Sequence, residues 1–136
     1  GGRVDPGDVS LQAAAEREAL EEVGLDLPVH ARLLGRLDEV PTYPDVKRTR
    51  LVISPFVYAL HTVPELVLDR SEVASVHWLP LAQLLSGAGR GVFPFEYGGT
   101  SLQMPMIAVG ESRIWGLTLR MLDDMLERLG STPAAS

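Results

Sequence analysis

The sequence predicts one small domain of the α/β or α+β class, and three observations support this. The chain has 136 residues, which suits one domain because single domains cluster at about 100–150 residues. Hydrophobic residues make up 46% and charged residues 22%, as in folded rather than disordered proteins. Segments with a helical hydrophobic period are intermixed with β-branched and aromatic segments, which indicates helices and strands in one fold.

The first predicted element is a helix. Ser10 is a suitable N-cap for a helix that runs to about Val23, and Gly24 stands where a glycine commonly ends a helix. A strand is predicted to follow around Arg32–Leu37.

The middle of the chain predicts a loop, two strands and a short helix. Asp38–Thr49 is polar and carries two prolines, which favours a loop. Arg50–Leu60 is β-branched and aromatic, so it predicts a strand that is interrupted at Pro55 or lies at a sheet edge there. Glu72–Trp78 alternates apolar and polar residues and predicts another strand. A short helix is expected over Pro80–Leu85.

The last third predicts a loop, a hairpin and a helix. Gly87–Gly99 is glycine-rich and is expected to be a loop. Gln103–Val109 and Arg113–Trp115 can pair as a hairpin. An amphipathic helix is predicted to about Leu129, and its apolar positions are Leu119, Leu122, Met125, Leu126 and Leu129.

Composition excludes several classes of function. The net charge of −6 argues against a dedicated nucleic-acid binder, which carries a basic face for phosphates. The absence of cysteine excludes disulfides, thiolate metal sites and a cysteine nucleophile. No apolar run reaches the roughly 18–20 residues of a membrane span, and no charged-then-apolar leader opens the chain. The expected compartment is therefore the cytoplasm.

Three glutamates share one face of the first predicted helix. Glu18, Glu21 and Glu22 follow the spacing i, i+3, i+4, which places them together on a helix. Like charges at this spacing destabilise a helix by about 0.2–0.5 kcal/mol, and Arg17 can offset part of that by pairing with Glu21. Clustered carboxylates suit a hard divalent cation such as Mg²⁺ or Mn²⁺. The alternative is a solvated acidic helix face.

The surrounding residues carry a more specific pattern. A Gly-Gly turn leads into an aspartate-bearing loop and then a helix with Arg-Glu, Glu-Glu and a closing glycine. This segment resembles the Nudix box of hydrolases that act on nucleoside diphosphate derivatives. The matching positions are Gly2, Arg17, Glu18, Ala19, Glu21, Glu22, Gly24 and Leu25.

The segment departs from the general box at one place. Asp8 replaces the first glutamate, and eight residues instead of seven separate it from Arg17. This one-residue insertion, with Gly1-Gly2 followed by Asp5 and Asp8 before the helix, resembles the coenzyme A pyrophosphatase branch of the family. Two later segments, Ser71–Leu85 and Ile114–Thr118, resemble parts of the same branch.

The resemblance implies an α/β/α sandwich with a mixed sheet. In that fold, strands that precede the box pair with strands that follow it, so we expect the natural protein to have further N-terminal residues and this chain to lack those strands. Residues 1–130 are expected to form a single Nudix domain, and residues 131–136 a disordered tail.

The resemblance also implies divalent-metal-dependent hydrolysis of a diphosphate bond. Glu18 and Glu22 are the leading metal ligands, Glu21 is a third, and the Gly1 carbonyl is a further one. Arg17 is expected to orient the carboxylates by ion pairing. The general base stays open between the box glutamates and a later acid, of which the candidates are Glu72, Glu96 and Glu111.

Substrate recognition is expected to involve basic and aromatic side chains. Lys47, Arg48 and Arg50 form a basic cluster suited to phosphates, including the 3′-phosphate of coenzyme A; a solvated loop tip is the alternative. The aromatic residues Tyr43, Phe93, Phe95 and Tyr97 are suited to stacking on an adenine ring or to closing the edge of a core. Trp115 is expected to pack at the C-terminal helix.

Three functions follow from these expectations. The first is hydrolysis of coenzyme A or acyl-coenzyme A to a phosphopantetheine product and adenosine 3′,5′-bisphosphate. The second is a pyrophosphatase for ADP-ribose, another dinucleotide or an oxidised nucleotide. The third is a catalytically silent Nudix-fold module that binds a nucleotide or a protein. A small nucleotide-like substrate is expected, without nucleic acid or membrane partners, and a homodimer is one expected state.

Overall fold

The computed structural model describes residues 2–42 and 51–130, in which four helices and seven strands are found. The chain divides into two compact units, one comprising Gly1–Leu37 and Ser54–His77 and the other Asp38–Ile53 and Trp78–Ser136. The elements in chain order are α1 (Leu11–Val23), α2 (Leu27–His30), β1 (Ala31–Arg36), β2 (Val40–Pro41), β3 (Val52–Ile53), β4 (Phe56–Leu60), α3 (Leu81–Ser86), β5 (Arg90–Tyr97), β6 (Thr100–Val109), β7 (Ser112–Trp115) and α4 (Gly116–Gly130).

The first unit combines α1 and α2 with an antiparallel pair of strands. β1 pairs with β4 from Ala31 opposite Leu60 to Arg36 opposite Phe56. The predicted break at Pro55 is confirmed, because it separates β4 from β3. The sequence did not predict the single turn of α2. Its Leu27 is buried.

The segment that leads out of β4 supports the end of α1. The amides of Val67 and Asp69 donate to the carbonyls of Val23 and Glu22, over 3.0 and 2.8 Å. The last carbonyls of a helix have no hydrogen-bond partner within the helix, and this segment supplies partners for two of them. The prediction of a strand over Glu72–Trp78 is wrong. These residues form a turn followed by irregular structure, and none of them pairs with a strand among the described residues.

The second unit is built on the antiparallel sheet β5-β6-β7. Its two hairpins close where Tyr97 pairs with Thr100 and where Val109 pairs with Ser112. β2 and β3 form a separate antiparallel pair. α4 packs against β6 and β7, and the buried apolar residues of this unit are Val40, Phe93, Ile107, Leu119 and Leu126.

The glycine-rich segment expected to be a loop is largely a strand. β5 spans eight residues of it and pairs along its whole length with β6. Cross-strand packing outweighs the local preference of glycine and proline for loops: Phe93 and Phe95 both contact Trp115, with ring centroids 5.2 Å apart in each case. These contacts show that Trp115 packs on strand aromatics, in addition to its place just before α4.

The predicted fold class is confirmed, since the chain combines helices with antiparallel sheets in an α+β fold. Every strand pair among the described residues is antiparallel, so these strands do not form the expected mixed sheet. A parallel pair needs a crossover connection, whereas tight turns join β5, β6 and β7. Among the helices of residues 2–42 and 51–130, none combines the length and the apolar character of a membrane span. The predicted tail, residues 131–136, lies outside the described residues.

Candidate functional site

The glutamate-bearing segment forms α1, with both predicted ends in place. The Ser10 hydroxyl accepts a hydrogen bond from the Ala13 amide at 3.0 Å, which is the expected N-cap. Gly24 closes the helix with a φ of 70°, in the left-handed region that favours glycine. A Cβ at Gly24 would lie 3.0 Å from the Val67 amide nitrogen. This glycine therefore also permits the close approach of the segment that supports the helix end.

Arg17 is the centre of the ion pairs on α1. Its guanidinium contacts four carboxylates, which belong to Asp5, Asp8, Glu18 and Glu21, at 3.0–3.4 Å. It also donates to the Arg3 carbonyl at 3.1 Å. The pairing with Glu21 that the sequence suggested is therefore observed.

Asp8 makes the closest contacts to that guanidinium. Its two carboxylate oxygens accept from Arg17 Nε and Nη2, each at 3.0 Å, and its side chain is only 7% exposed. The hydrogen bonds from Arg17 hold the pKa of Asp8 below its usual value and raise the pKa of Arg17. Asp8 thus anchors Arg17, which in turn contacts Glu18 and Glu21.

A turn over residues 5–8 presents Asp8 to the helix. The Asp8 amide donates to the Asp5 carbonyl at 2.9 Å, and Asp8 Oδ2 accepts from the Asp5 amide at 2.7 Å. Asp5 entered the sequence analysis only as part of the family pattern, although two aspartates three residues apart also indicate a side-chain-stabilised turn.

Glu18 packs against the backbone of Gly2. A Cβ at Gly2 would lie 2.3 Å from Glu18 Oε1 and 2.6 Å from Cδ, so only glycine leaves room for the carboxylate in this position. The Glu18 side chain is 16% exposed, whereas that of Glu21 is 56% exposed. The chain therefore holds one carboxylate closely and presents another to solvent.

The donor set of α1 fits a hard divalent cation. Carboxylate oxygens suit Mg²⁺ and Mn²⁺, and Mg²⁺ usually takes one or two protein carboxylates and keeps several waters. In the part of the chain that the structure describes, no three carboxylate or imidazole side chains converge as a ready-made metal cluster. The Glu18 carboxylate lies directly beside the Gly2 main chain, and this arrangement is compatible with such an ion. The ligand roles of Glu18, Glu21 and Glu22 stay predictions.

The other predicted site residues are not gathered at α1. Gly1, Lys47, Arg48 and Arg50 lie outside the described residues, as does Tyr43. Among the candidate bases, Glu72 lies in the first unit, in the turn after Asp69. Glu96 lies on β5 and Glu111 in the turn between β6 and β7, both in the second unit.

The comparisons with known proteins agree with the motif. A family model described as the NUDIX domain matches residues 1–94. The chain is 34% identical over 131 residues to the mitochondrial coenzyme A diphosphatase NUDT8 of Homo sapiens, covering 95% of this chain and 53% of that protein. It is 32% identical over 127 residues to the peroxisomal coenzyme A diphosphatase ndx-8 of Caenorhabditis elegans, covering 81% and 52%.

A third relative is an uncharacterized protein of Schizosaccharomyces pombe, 48% identical over 80 residues, which cover 57% of this chain and 24% of that protein. The chain thus spans about half the length, or less, of these three relatives. The names of two relatives place those proteins in mitochondria and peroxisomes, so a cytoplasmic location of this protein stays a prediction.

Proposed function

Because this chain belongs to the Nudix domain family, we propose that it hydrolyses a diphosphate bond in a nucleoside diphosphate derivative, with Mg²⁺ or Mn²⁺ as cofactor. The observation that carries the proposal is the arrangement on α1. Three glutamates follow each other at i, i+3 and i+4, and Arg17, itself anchored by Asp8, pairs with two of them. The proposal treats residues 1–130 as one Nudix domain.

Glu18 and Glu22 would hold the cation, with Glu21 as a third ligand and the Gly1 carbonyl as a further one. When bound, such an ion screens the anionic diphosphate and lowers the pKa of a coordinated water. This chemistry suits the substrate class, because the charge of a diphosphate repels an incoming nucleophile.

The chain's own contribution is to hold those carboxylates in place. Asp8 holds Arg17, and Arg17 holds Glu18 and Glu21 through ion pairs of 3.3 and 3.1 Å. The Glu22 carbonyl accepts from the Asp69 amide, which fixes the last turn of the helix. Groups that orient metal ligands in this way commonly change metal affinity or activity by about 10–100-fold when removed.

For the substrate, we propose coenzyme A or acyl-coenzyme A, cleaved to a 4′-phosphopantetheine product and adenosine 3′,5′-bisphosphate. Two relatives carry the name coenzyme A diphosphatase, and the Gly-Gly turn with Asp5 and Asp8 resembles that branch. Lys47, Arg48 and Arg50 are proposed to contact the substrate phosphates.

A substrate panel tests the proposal. The purified protein is incubated with coenzyme A, acetyl-coenzyme A, ADP-ribose, a dinucleotide and an oxidised nucleoside triphosphate, each with Mg²⁺, with Mn²⁺ or with EDTA, and the products are separated by chromatography. We expect adenosine 3′,5′-bisphosphate from the two coenzyme A substrates only with metal. A preference for ADP-ribose would contradict the substrate assignment, and no metal-dependent hydrolysis of any substrate would contradict the activity.

A further inference from the structure

The sheet of the second unit carries an aromatic face. In antiparallel strands, directly opposed residues point to the same side of the sheet. The register places Phe93 opposite Met104, Phe95 opposite Leu102, and Met106 opposite Trp115. We define the aromatic face as the surface formed by Phe93, Phe95, Met104, Met106, Arg113 and Trp115.

Three rings of this face form one cluster that reaches the surface. Trp115 lies 5.2 Å from Phe93 at an interplanar angle of 84°, and 5.2 Å from Phe95 at 46°. Phe93 is buried, whereas Trp115 is 38% exposed. The buried Phe93 ring therefore packs against the indole, while part of Trp115 remains exposed to solvent.

Arg113 gives the aromatic face a positive charge. Its Cζ lies 4.1 Å from the centroid of the Phe93 ring, in the range of a cation–π contact. The side chain is exposed, and the ion pairs found within residues 2–42 and 51–130 include none to Arg113. A guanidinium carries five N–H donors in a planar fork, and this geometry suits bidentate contact with a phosphate.

We propose that the aromatic face binds an adenine nucleotide, with the base stacked on Trp115 and a phosphate on Arg113. This inference rests on the proposed function, whose expected nucleotide product is adenosine 3′,5′-bisphosphate. Nucleobases stack on aromatic side chains and on guanidinium planes. An apolar partner, by contrast, would cover an arginine without a counter-charge, which is unfavourable. A ligand with both an aromatic ring and a negative charge can stack on the ring cluster and pair with the guanidinium.

Fluorescence of Trp115 tests the proposal. The chain has two tryptophans, and Trp78 is 63% exposed, so a Trp78→Phe background leaves Trp115 as the sole reporter with little effect on packing. Titration with adenosine 3′,5′-bisphosphate in EDTA is expected to give a saturable change in Trp115 emission. Adenosine alone and inorganic phosphate alone are each expected to bind at least about tenfold more weakly, because each makes one of the two contacts.

A matched pair of arginine variants tests the charge. Arg113→Gln is expected to weaken binding of adenosine 3′,5′-bisphosphate about tenfold, the order expected for losing one charge-assisted contact. Arg120→Gln makes the same change at an exposed position on α4 and is expected to leave the affinity unchanged. Because Arg113 is exposed, its replacement is not expected to prevent folding; thermal melts check this.

Several outcomes would overturn the inference. They are an unchanged Trp115 emission, equal effects of the two arginine variants, or an indole that iodide cannot quench because a second copy or another segment covers it. Failure of the proposed function gives a different result. Hydrolysis of coenzyme A without nucleotide binding at Trp115 contradicts only this inference, whereas binding without hydrolysis of any substrate contradicts only the proposed function.

Discussion

Replacing Gly2 by alanine is expected to displace Glu18 while leaving the fold intact. The new Cβ would meet Glu18 Oε1 at 2.3 Å, whereas ordinary van der Waals contact begins at 3.4 Å, so the carboxylate must move by about 1 Å. The obstructing atom is the end of a flexible side chain, so the backbone need not shift. Misplacement of a reacting group by about 1 Å can lower a rate by roughly 100-fold. We therefore expect kcat/KM for coenzyme A to fall by about that factor.

The assay compares steady-state hydrolysis with stability. Gly7→Ala is the control, because a Cβ at Gly7 meets nothing within 4 Å, and it is expected to keep parental activity. Both variants are expected to keep the parental free energy of unfolding within about 0.5 kcal/mol. Binding of Mn²⁺, measured by electron paramagnetic resonance, is expected to weaken for Gly2→Ala alone. Parental activity in Gly2→Ala, or equal losses in both variants, would refute the proposed link between Gly2 and Glu18.

Three further variants follow from the site. Glu22→Gln is expected to lower kcat/KM by about 100-fold or more, the order for losing one electrostatic stabiliser, as steady-state rates with Mg²⁺ will show. Asp8→Asn removes the carboxylate whose pKa Arg17 lowers. The ionised carboxylate stabilises the fold at pH values above its ordinary pKa of 3.8, and this stabilisation is lost as the pH falls through the lowered pKa. The melting temperature of the variant is therefore expected to depend less on pH in the acid range than that of the parent. Gly24→Ala is expected to destabilise the protein more than Gly87→Ala in urea titrations, since both have positive φ but only Gly24 also meets a neighbour.

Each of these three predictions has a result that would contradict it. For Glu22→Gln the control is Glu127→Gln, at an exposed position on α4. Equal activity of the two variants would contradict the proposed role of Glu22 as a metal ligand. An acid-limb stability profile of Asp8→Asn that matches the parent would show that the pair with Arg17 adds nothing. If Gly87→Ala costs as much as Gly24→Ala, about 1–2 kcal/mol for backbone strain alone, the contact with Val67 is unimportant.

Local sequence signals predicted α1 well, because the forces that define its ends lie within a few residues. Ser10 caps the first turn and Gly24 adopts positive φ, and both effects belong to the residue itself and its nearest neighbours. The pairing of Arg17 with Glu21 follows from helical spacing in the same way.

Long-range contacts account for the errors. The alternation of apolar and polar residues over Glu72–Trp78 suggested a strand. The segment just before it instead donates the amides of Val67 and Asp69 to the end of α1, and no residue within Glu72–Trp78 indicates this contact. In β5, glycine and proline favoured a loop, but pairing with β6 and the packing of Phe93 on Trp115 decide the conformation. Both outcomes depend on partners distant in sequence.

The distribution of charge around α1 bears on the metal proposed for this site. Four carboxylates, those of Asp5, Asp8, Glu18 and Glu21, share the single guanidinium of Arg17. Asp8 takes the two closest contacts and holds Arg17 at one side of the helix, so the guanidinium cannot neutralise the remaining acids equally. A divalent ion at Glu18 and its neighbours would reduce that excess negative charge, and it would do so where an anionic diphosphate must approach. In the proposed function, Asp8 and Arg17 would therefore hold Glu18 and Glu21 in place while the metal offsets the remaining negative charge.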